Sequence, residues 1–187
     1  LTEHGIPNIE LECDREDAVL RDALFARGFA VKEERVMEEA WLDARARVPV
    51  SEIHEGYRLL DRSEMLDRPH HLTRPDGPDP EVRLLQTSLY RADLDLAVVD
   101  ANDEVAAYGM FWFDPETGVG VVEPMRTMDE HQKRGLARHV LTSGIERLAN
   151  AGADRISIGW EPDNPASGHL YQSVGFVSHR VNDLLGN

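Results

Sequence analysis

The chain has 187 residues, 41% of them apolar, which suits one domain or one domain with part of another, and no apolar run approaches the roughly 18 residues needed to cross a bilayer. With 35 acidic against 20 basic side chains the net charge is −15, which repels phosphates and argues against nucleic acid as a general partner. A cationic small molecule fits that charge, which also serves solubility. The single cysteine, Cys13, excludes an internal disulfide and any multi-cysteine metal site. No charged-then-apolar leader follows Leu1, so no membrane association and a cytoplasmic location are expected.

Near the N-terminus, Ile9 and Leu11 alternate with Glu10 and Glu12 as in a half-buried strand. Val19, Leu20, Ala23 and Leu24 then give a helical stripe that ends at Gly28, with Phe29 beyond it. The same order returns late in the chain. A shift of 147 places Ile9 on Ile156, Asp17 on Asn164, Leu24 on Tyr171, Phe25 on Gln172, and Gly28-Phe29 on Gly175-Phe176. We read this as an internal repeat. The plainer alternative is that strand, helix, glycine and phenylalanine recur in many α/β chains.

Val36, Met37, Ala40, Trp41 and Ala44 can be drawn as a helix face within a charged stretch, and Pro49 and Gly56 bracket a boundary. Tyr57 to Asp61 reads as a strand. Five Pro and Gly residues between Arg68 and Glu81 (Pro69, Pro75, Gly77, Pro78 and Pro80) forbid a long helix there and mark a surface loop. His70 and His71 lie in that loop. Adjacent side chains point in opposite directions on an extended chain and no third ligand stands at a ligand-like spacing, so no metal is expected. Leu94 to Val99, Val105 to Phe113 and the run after Gly118 then form a three-stranded meander, joined by turns at Ala101–Glu104 and Asp114–Gly118. Trp112 and Phe113 at its edge either wall a pocket or belong to the core.

The most informative stretch is Gly118 to Ala149. Val119, Val121 and Glu123 alternate with Gly120, Val122 and Pro124, a strand's period of two. After the turn the period changes: Leu136, Val140, Leu141, Ile145 and Leu148 make one stripe on a helix of roughly four turns. Between strand and helix lie Gly135, Ala137 and the basic Lys133, Arg134 and Arg138. Unpaired N–H groups at a helix start, with a glycine that lets the backbone approach, suit an anion.

Gln132-x-x-Gly135-x-Ala137 between a strand and a helix resembles the Q/R-x-x-G-x-G/A signature of the GNAT superfamily of acyl-CoA-dependent N-acetyltransferases. Asn164 to Phe176, with Leu170-Tyr171 and Gly175-Phe176, resembles the block that closes that family's cofactor site. The resemblance implies an α/β fold with a mixed, mostly antiparallel central sheet flanked by helices, and makes 35–42 a closing strand. Residues 1–45 would be the C-terminal remnant of a first acetyltransferase-like repeat and residues 46–187 the GNAT domain. The partner of that remnant would be its missing half or a second copy of the chain.

The implied activity is transfer of an acetyl group from acetyl-CoA, as co-substrate, directly to a small-molecule amine. The alternative is a non-catalytic acyl-CoA-binding regulatory module. The backbone from Gln132 through Lys133, Arg134, Gly135, Leu136 and Ala137 to Arg138 would hold the pyrophosphate, the main chain of Met125, Arg126 and Thr127 would pair with the pantetheine amides, and Asn164 would bond the pantetheine or cap its helix. Tyr171 resembles the tyrosine that protonates the departing thiolate. Glu123, on the strand before the turn, is the candidate base, and Pro124 after it should break the strand ladder. Two departures from the family pattern stand out: Ala137 replaces a glycine, and Asp129 brings negative charge to a phosphate turn.

Overall fold

The computed structural model describes residues 9–73, 77 and 79–187, side chains 33–35 excepted. Pro75 and Pro78 of the expected loop, and the first eight residues of the expected remnant, lie outside the described residues. In chain order the elements are β1 (Glu10–Asp14), α1 (Ala18–Phe25), β2 (Ala30–Asp43), β3 (Arg58–Asp61), α2 (Pro80–Leu84) and β4 (Asp95–Val99). They are followed by β5 (Val105–Asp114), β6 (Val119–Thr127), α3 (Leu136–Ala151), β7 (Arg155–Trp160), α4 (Pro165–Ser173) and β8 (Val177–Gly186). Residues 35–42 are strand, as the family resemblance implied, and not a helix face. Two compact units result: Leu1–Trp41 with Ile158–Asn187, and Leu42–Ser157.

In the first unit β8 pairs antiparallel with both β1 and β2, Cys13 facing Asp183 and Met37 facing Asn182. The strand β8 carries no clear alternation, its first four residues being exposed, and its sequence did not announce it. Asp183 is buried there because two cations reach it: Arg15 donates at 2.6 Å and Arg21 at 2.7 Å. Cys13, Phe29 and Leu185 form the core beneath, with Ile9, Leu11 and Leu24 packed against it. The expected helical stripe of α1 is not a buried one. None of its residues is buried, and Val19 is 83% exposed.

The second unit is an antiparallel ladder β6-β5-β4-β3 with α3 packed on β5. All five residues of β4 and six consecutive residues of β5, Ala106 to Phe111, are buried, which explains why both read as continuous apolar runs. The stripe Leu136, Val140, Leu141, Ile145 and Leu148 is at most 1% exposed, each side chain contributing about 1.5–3 kcal/mol by its burial. Gly144 lets α3 come this close, since a Cβ there would lie 2.0 Å from the Phe111 ring. The helix ends at left-handed Gly152, and the Ala153 N–H closes on the Leu148 carbonyl at 3.0 Å. Along its flank the segment after β2 is strapped down: Arg47 pairs with Glu146, and Ser51 donates its N–H to Thr142 and accepts from His139 Nδ1.

Candidate active site

Beyond β6 a single 3-10 turn, Asp129–His131, precedes the exposed residues Gln132 to Gly135. Lys133 and Gly135 have φ of 60° and 76°, so the chain turns left-handed on either side of Arg134. Left-handed residues in such a turn bring backbone N–H groups to one side and make a concavity that suits an anion. Helix α3 starts at Gly135 with no side-chain cap. Its first-turn N–H groups, from Leu136 to Arg138, therefore present the positive end of the helix without a capping oxygen from the N-cap residue. Gly135 is needed for its dihedral and not for room, because a Cβ would meet nothing within 4 Å.

Gln132 donates to Asp129 at 3.1 Å, so the negative charge beside the turn is engaged locally. Arg134 donates to the Tyr57 hydroxyl at 2.8 Å and to the Glu130 carbonyl at 3.2 Å, its guanidinium 5.8 Å over the Tyr57 ring. The same Tyr57 hydroxyl is hydrogen-bonded to His131 Nδ1 at 2.9 Å. No spacing in the sequence connects Tyr57 with the turn 77 residues later.

Thr127, Arg126 and Met125 pair with Ala107, Tyr108 and Gly109 of β5, but the register then slips, and Val122 faces Phe111. Glu123 and Pro124 together oppose Met110. This is a β-bulge, the local break expected at Pro124, and bulges re-aim side chains. The Glu123 side chain is exposed. Its carbonyl accepts the indole N–H of Trp112 at 2.7 Å, which gives Trp112 a polar role beyond pocket wall or core.

Asn164 and Tyr171 belong to the first unit. Asn164 is the N-cap of α4, its Oδ1 accepting the Ser167 N–H at 3.4 Å. Tyr171 is 8% exposed and lies edge-on to Trp160 and Phe176, ring centres 5.7 and 6.4 Å away. Burial raises its phenol pKa, countered in part by a hydrogen bond with Ser167, so the hydroxyl stays protonated at neutral pH.

The two histidines do not behave as neighbours on an extended chain. Their rings lie 4.2 Å apart in a turn, His71 also stacks 4.5 Å from Tyr108, and a third potential ligand, Asp95, brings three donor atoms within 4.8 Å of one another. Strand pairing carries Asp95 there from 24 residues beyond His71, a distance in sequence that motif spacing does not register. His70 Nδ1 accepts the Leu72 N–H at 3.1 Å, so Nε2 holds the proton and donates it to Asp95 Oδ2 at 2.8 Å. Among the described residues, and while His70 keeps that proton, this leaves His71 and Asp95 Oδ1 as the donors open to a metal, where zinc takes three or four. His71 Nε2 lies 3.3 Å from Asp95 Oδ1 without hydrogen-bond geometry. Burial pushes the His71 pKa down to about 4, against the attraction of Asp95 and with help from His70 and Arg62, so its ring is neutral at pH 7.

A family model described as the acetyltransferase (GNAT) family matches residues 57–176. The chain belongs to that family. GNAT enzymes in general use acetyl-CoA and small-molecule acceptors, and the uncapped, left-handed turn before α3 fits a phosphate-bearing donor. Among curated proteins the chain is similar to a mycothiol acetyltransferase of Paenarthrobacter aurescens, 26% identical over 174 residues, covering 91% of this chain and 47% of that protein. It is also similar to a mycothiol acetyltransferase of Tsukamurella paurometabola, 38% identical over 66 residues, which is 35% of this chain and 23% of that protein. The chain thus spans less than half the length of these relatives.

Solved structures show the same GNAT fold. A GCN5-related N-acetyltransferase from Sphaerobacter thermophilus aligns with a TM-score of 0.73 at 12% identity, over 96% of this chain and 59% of that one. A tandem GNAT protein from the clavulanic acid biosynthesis pathway aligns with a TM-score of 0.74, also at 12% identity, over 100% of this chain and 65% of that one. Among the described residues no helix is long and apolar enough to cross a membrane.

Proposed function

We propose that this GNAT chain is an N-acetyltransferase that moves the acetyl group of acetyl-CoA directly to a small amine. The observation that carries the reading is the start of α3: a left-handed, glycine-led turn with no side-chain cap, in a chain of this family. Backbone N–H groups from Lys133 to Arg138 hold the pyrophosphate, and the main chain of Met125 to Thr127 lies along the pantetheine arm, with Gln132 and Asn164 as further cofactor contacts.

In the reaction the amine nitrogen attacks the thioester carbonyl, the C–S bond breaks, and an amide forms. Glu123 takes the proton lost by the amine, directly or through water, and Tyr171 gives one to the departing thiolate. Holding amine and thioester together supplies much of the rate. No acyl-enzyme is required, and Cys13 is buried in the first unit. A net charge of −15 favours a cationic acceptor.

The tight packing of Tyr171 between Trp160 and Phe176 favours a second reading, an acyl-CoA-binding module in which Tyr171 only packs. Residues 1–45 fit the remnant of a first repeat, supported by the likeness to a tandem GNAT protein and by matched helix ends at Asp17 and Asn164 and at Gly28 and Gly175. Release of free thiol from acetyl-CoA over a panel of polyamines, aminoglycosides, amino acids and a mycothiol-type acceptor separates enzyme from module. Gly135→Val tests the turn. A β-branched residue cannot easily hold φ of 76°, so calorimetry should show at least about a tenfold loss of acetyl-CoA affinity; unchanged affinity sinks the cofactor assignment.

A further inference from the structure

Next to the bulge on β6 stands a chain of polar and aromatic side chains that the reaction scheme leaves unused. Asp95, 1% exposed at the start of β4, receives two donors on Oδ2: His70 Nε2 at 2.8 Å and the Tyr90 hydroxyl at 2.8 Å. The Leu72 N–H on Nδ1 sets the His70 tautomer, so this bond always runs from His70 to the carboxylate while the ring is neutral. The Tyr90 ring lies 6.3 Å from that of Trp112, planes at 58°, within the range of a tilted aromatic pair. Trp112 then donates its indole N–H to the Glu123 carbonyl.

We propose that Trp112 and Tyr90, anchored through Asp95 and His70, are positioning residues that hold the Glu123 bulge in its working geometry. The inference rests on the reading of Glu123 as the base. Its physical ground is a balance of hydrogen bonds. A bulge takes a backbone carbonyl out of the ladder and leaves it to find another donor, and an exposed Glu123 with a free carbonyl would let the bulge relax. The indole N–H supplies that donor from β5, the strand beside it. Trp112 is itself half-buried and can tip, and Tyr90 limits that movement. Tyr90 is in turn fixed by a carboxylate that cannot leave, being buried with two donors on one oxygen. Burial, and then the Asp95 charge, raise the Tyr90 pKa, so its hydroxyl remains a donor across the working range of pH. Each link joins residues of the second unit, so the device stands within one compact body.

A double-mutant cycle on the full chain tests this, with thiol release from acetyl-CoA and the fastest amine of the panel as the assay. Trp112→Phe keeps a ring against Tyr90 and removes the N–H. It should lower kcat about three- to tenfold with KM for acetyl-CoA unchanged, as expected for one hydrogen bond. In a Glu123→Gln background the same change should cost nothing further, and Tyr90→Phe should follow the same pattern with a smaller loss. Equal losses in both backgrounds overturn the proposal, since Trp112 would then act independently of Glu123. A silent Glu123→Gln instead removes the base reading and the proposal with it, which distinguishes the two failures.

A readout that needs no acceptor is the NMR signal of the Trp112 indole proton. Slow exchange with solvent, faster in Tyr90→Phe, supports the brace; fast exchange in the parent overturns it. Zinc titration supplies the last check. A zinc-dependent rise in melting temperature that His71→Ala abolishes would make the cluster a metal site and the brace would fall.

Discussion

The two strand-helix-strand segments β1-α1-β2 and β7-α4-β8 share their local backbone and differ in what it carries. Asp17 and Asn164 both cap a helix by accepting the N–H three residues on, from Leu20 at 2.9 Å and Ser167 at 3.4 Å. Gly28 and Gly175 both turn left-handed, φ 87° and 106°. Phe29 and Phe176 both return their N–H to the carbonyl five residues earlier, Leu24 and Tyr171, at 3.2 Å, and both are buried. Yet α1 buries no residue, while α4 buries Gly168 and Tyr171. Cap and terminal glycine thus specify that a helix forms and where it stops. What the helix packs against, and whether it carries chemistry, depends on its facing side chains.

The sharpest test of that difference is at the matched pair Leu24 and Tyr171. If Tyr171 gives up the proton in the reaction, Tyr171→Phe should reduce kcat by about 10²–10⁴-fold, with KM for acetyl-CoA and the melting temperature nearly unchanged. Leu24→Ala should leave kcat alone and cost about 1–2 kcal/mol, below the usual 2–5 for a fully buried leucine, because Leu24 is only partly buried. A Tyr171→Phe variant that melts early and turns over normally would make the two positions alike and break the comparison.

The caps come next. Asp17→Ala and Asn164→Ala should each cost roughly 1 kcal/mol in denaturant unfolding. Only Asn164→Ala should also weaken acetyl-CoA binding by calorimetry. If binding is unaffected, Asn164 is a cap and nothing more, like its counterpart.

The smallest effect expected is in acid, where Arg15, just before the first helix, and Arg21, within it, meet Asp183 on the last strand. The hydrogen bond from Arg15, opposed by burial and aided by Arg21, holds the Asp183 carboxyl below its ordinary 3.8. A carboxyl with a depressed folded pKa stabilises fully above its unfolded value and loses that stabilisation as pH falls through the folded one. The difference in melting temperature between the parent and Asp183→Asn should therefore be constant above about pH 5 and shrink below about pH 4, with its size reduced by salt because Arg15 is half in solvent. Both proteins lose stability from about pH 6.5 downward, as the unfolded chain protonates His71, which is buried neutral in the fold. An identical decline in the variant would place the acid sensitivity elsewhere.

Much of the fold is legible in the residues because its signals are local. The alternation at Val119 to Val122, the stripe from Leu136 to Leu148, the left-handed glycines and the cap at Asn164 act within one turn or one strand, where sequence neighbours are spatial neighbours. The phosphate-sized turn belongs to the same class, since backbone dihedrals at Lys133 and Gly135 build it. Other features needed the tertiary structure. The first strand pairs with the last across more than 160 residues, Asp95 joins His70 through the placement of β4, Tyr57 reaches Arg134, and the Trp112 indole meets a carbonyl freed by a bulge. Each depends on strand register and on the direction of one side-chain donor, and neither leaves a period in the sequence. The stripe on α1 shows the converse. Its pattern says that a face exists, and only packing decides whether that face is buried.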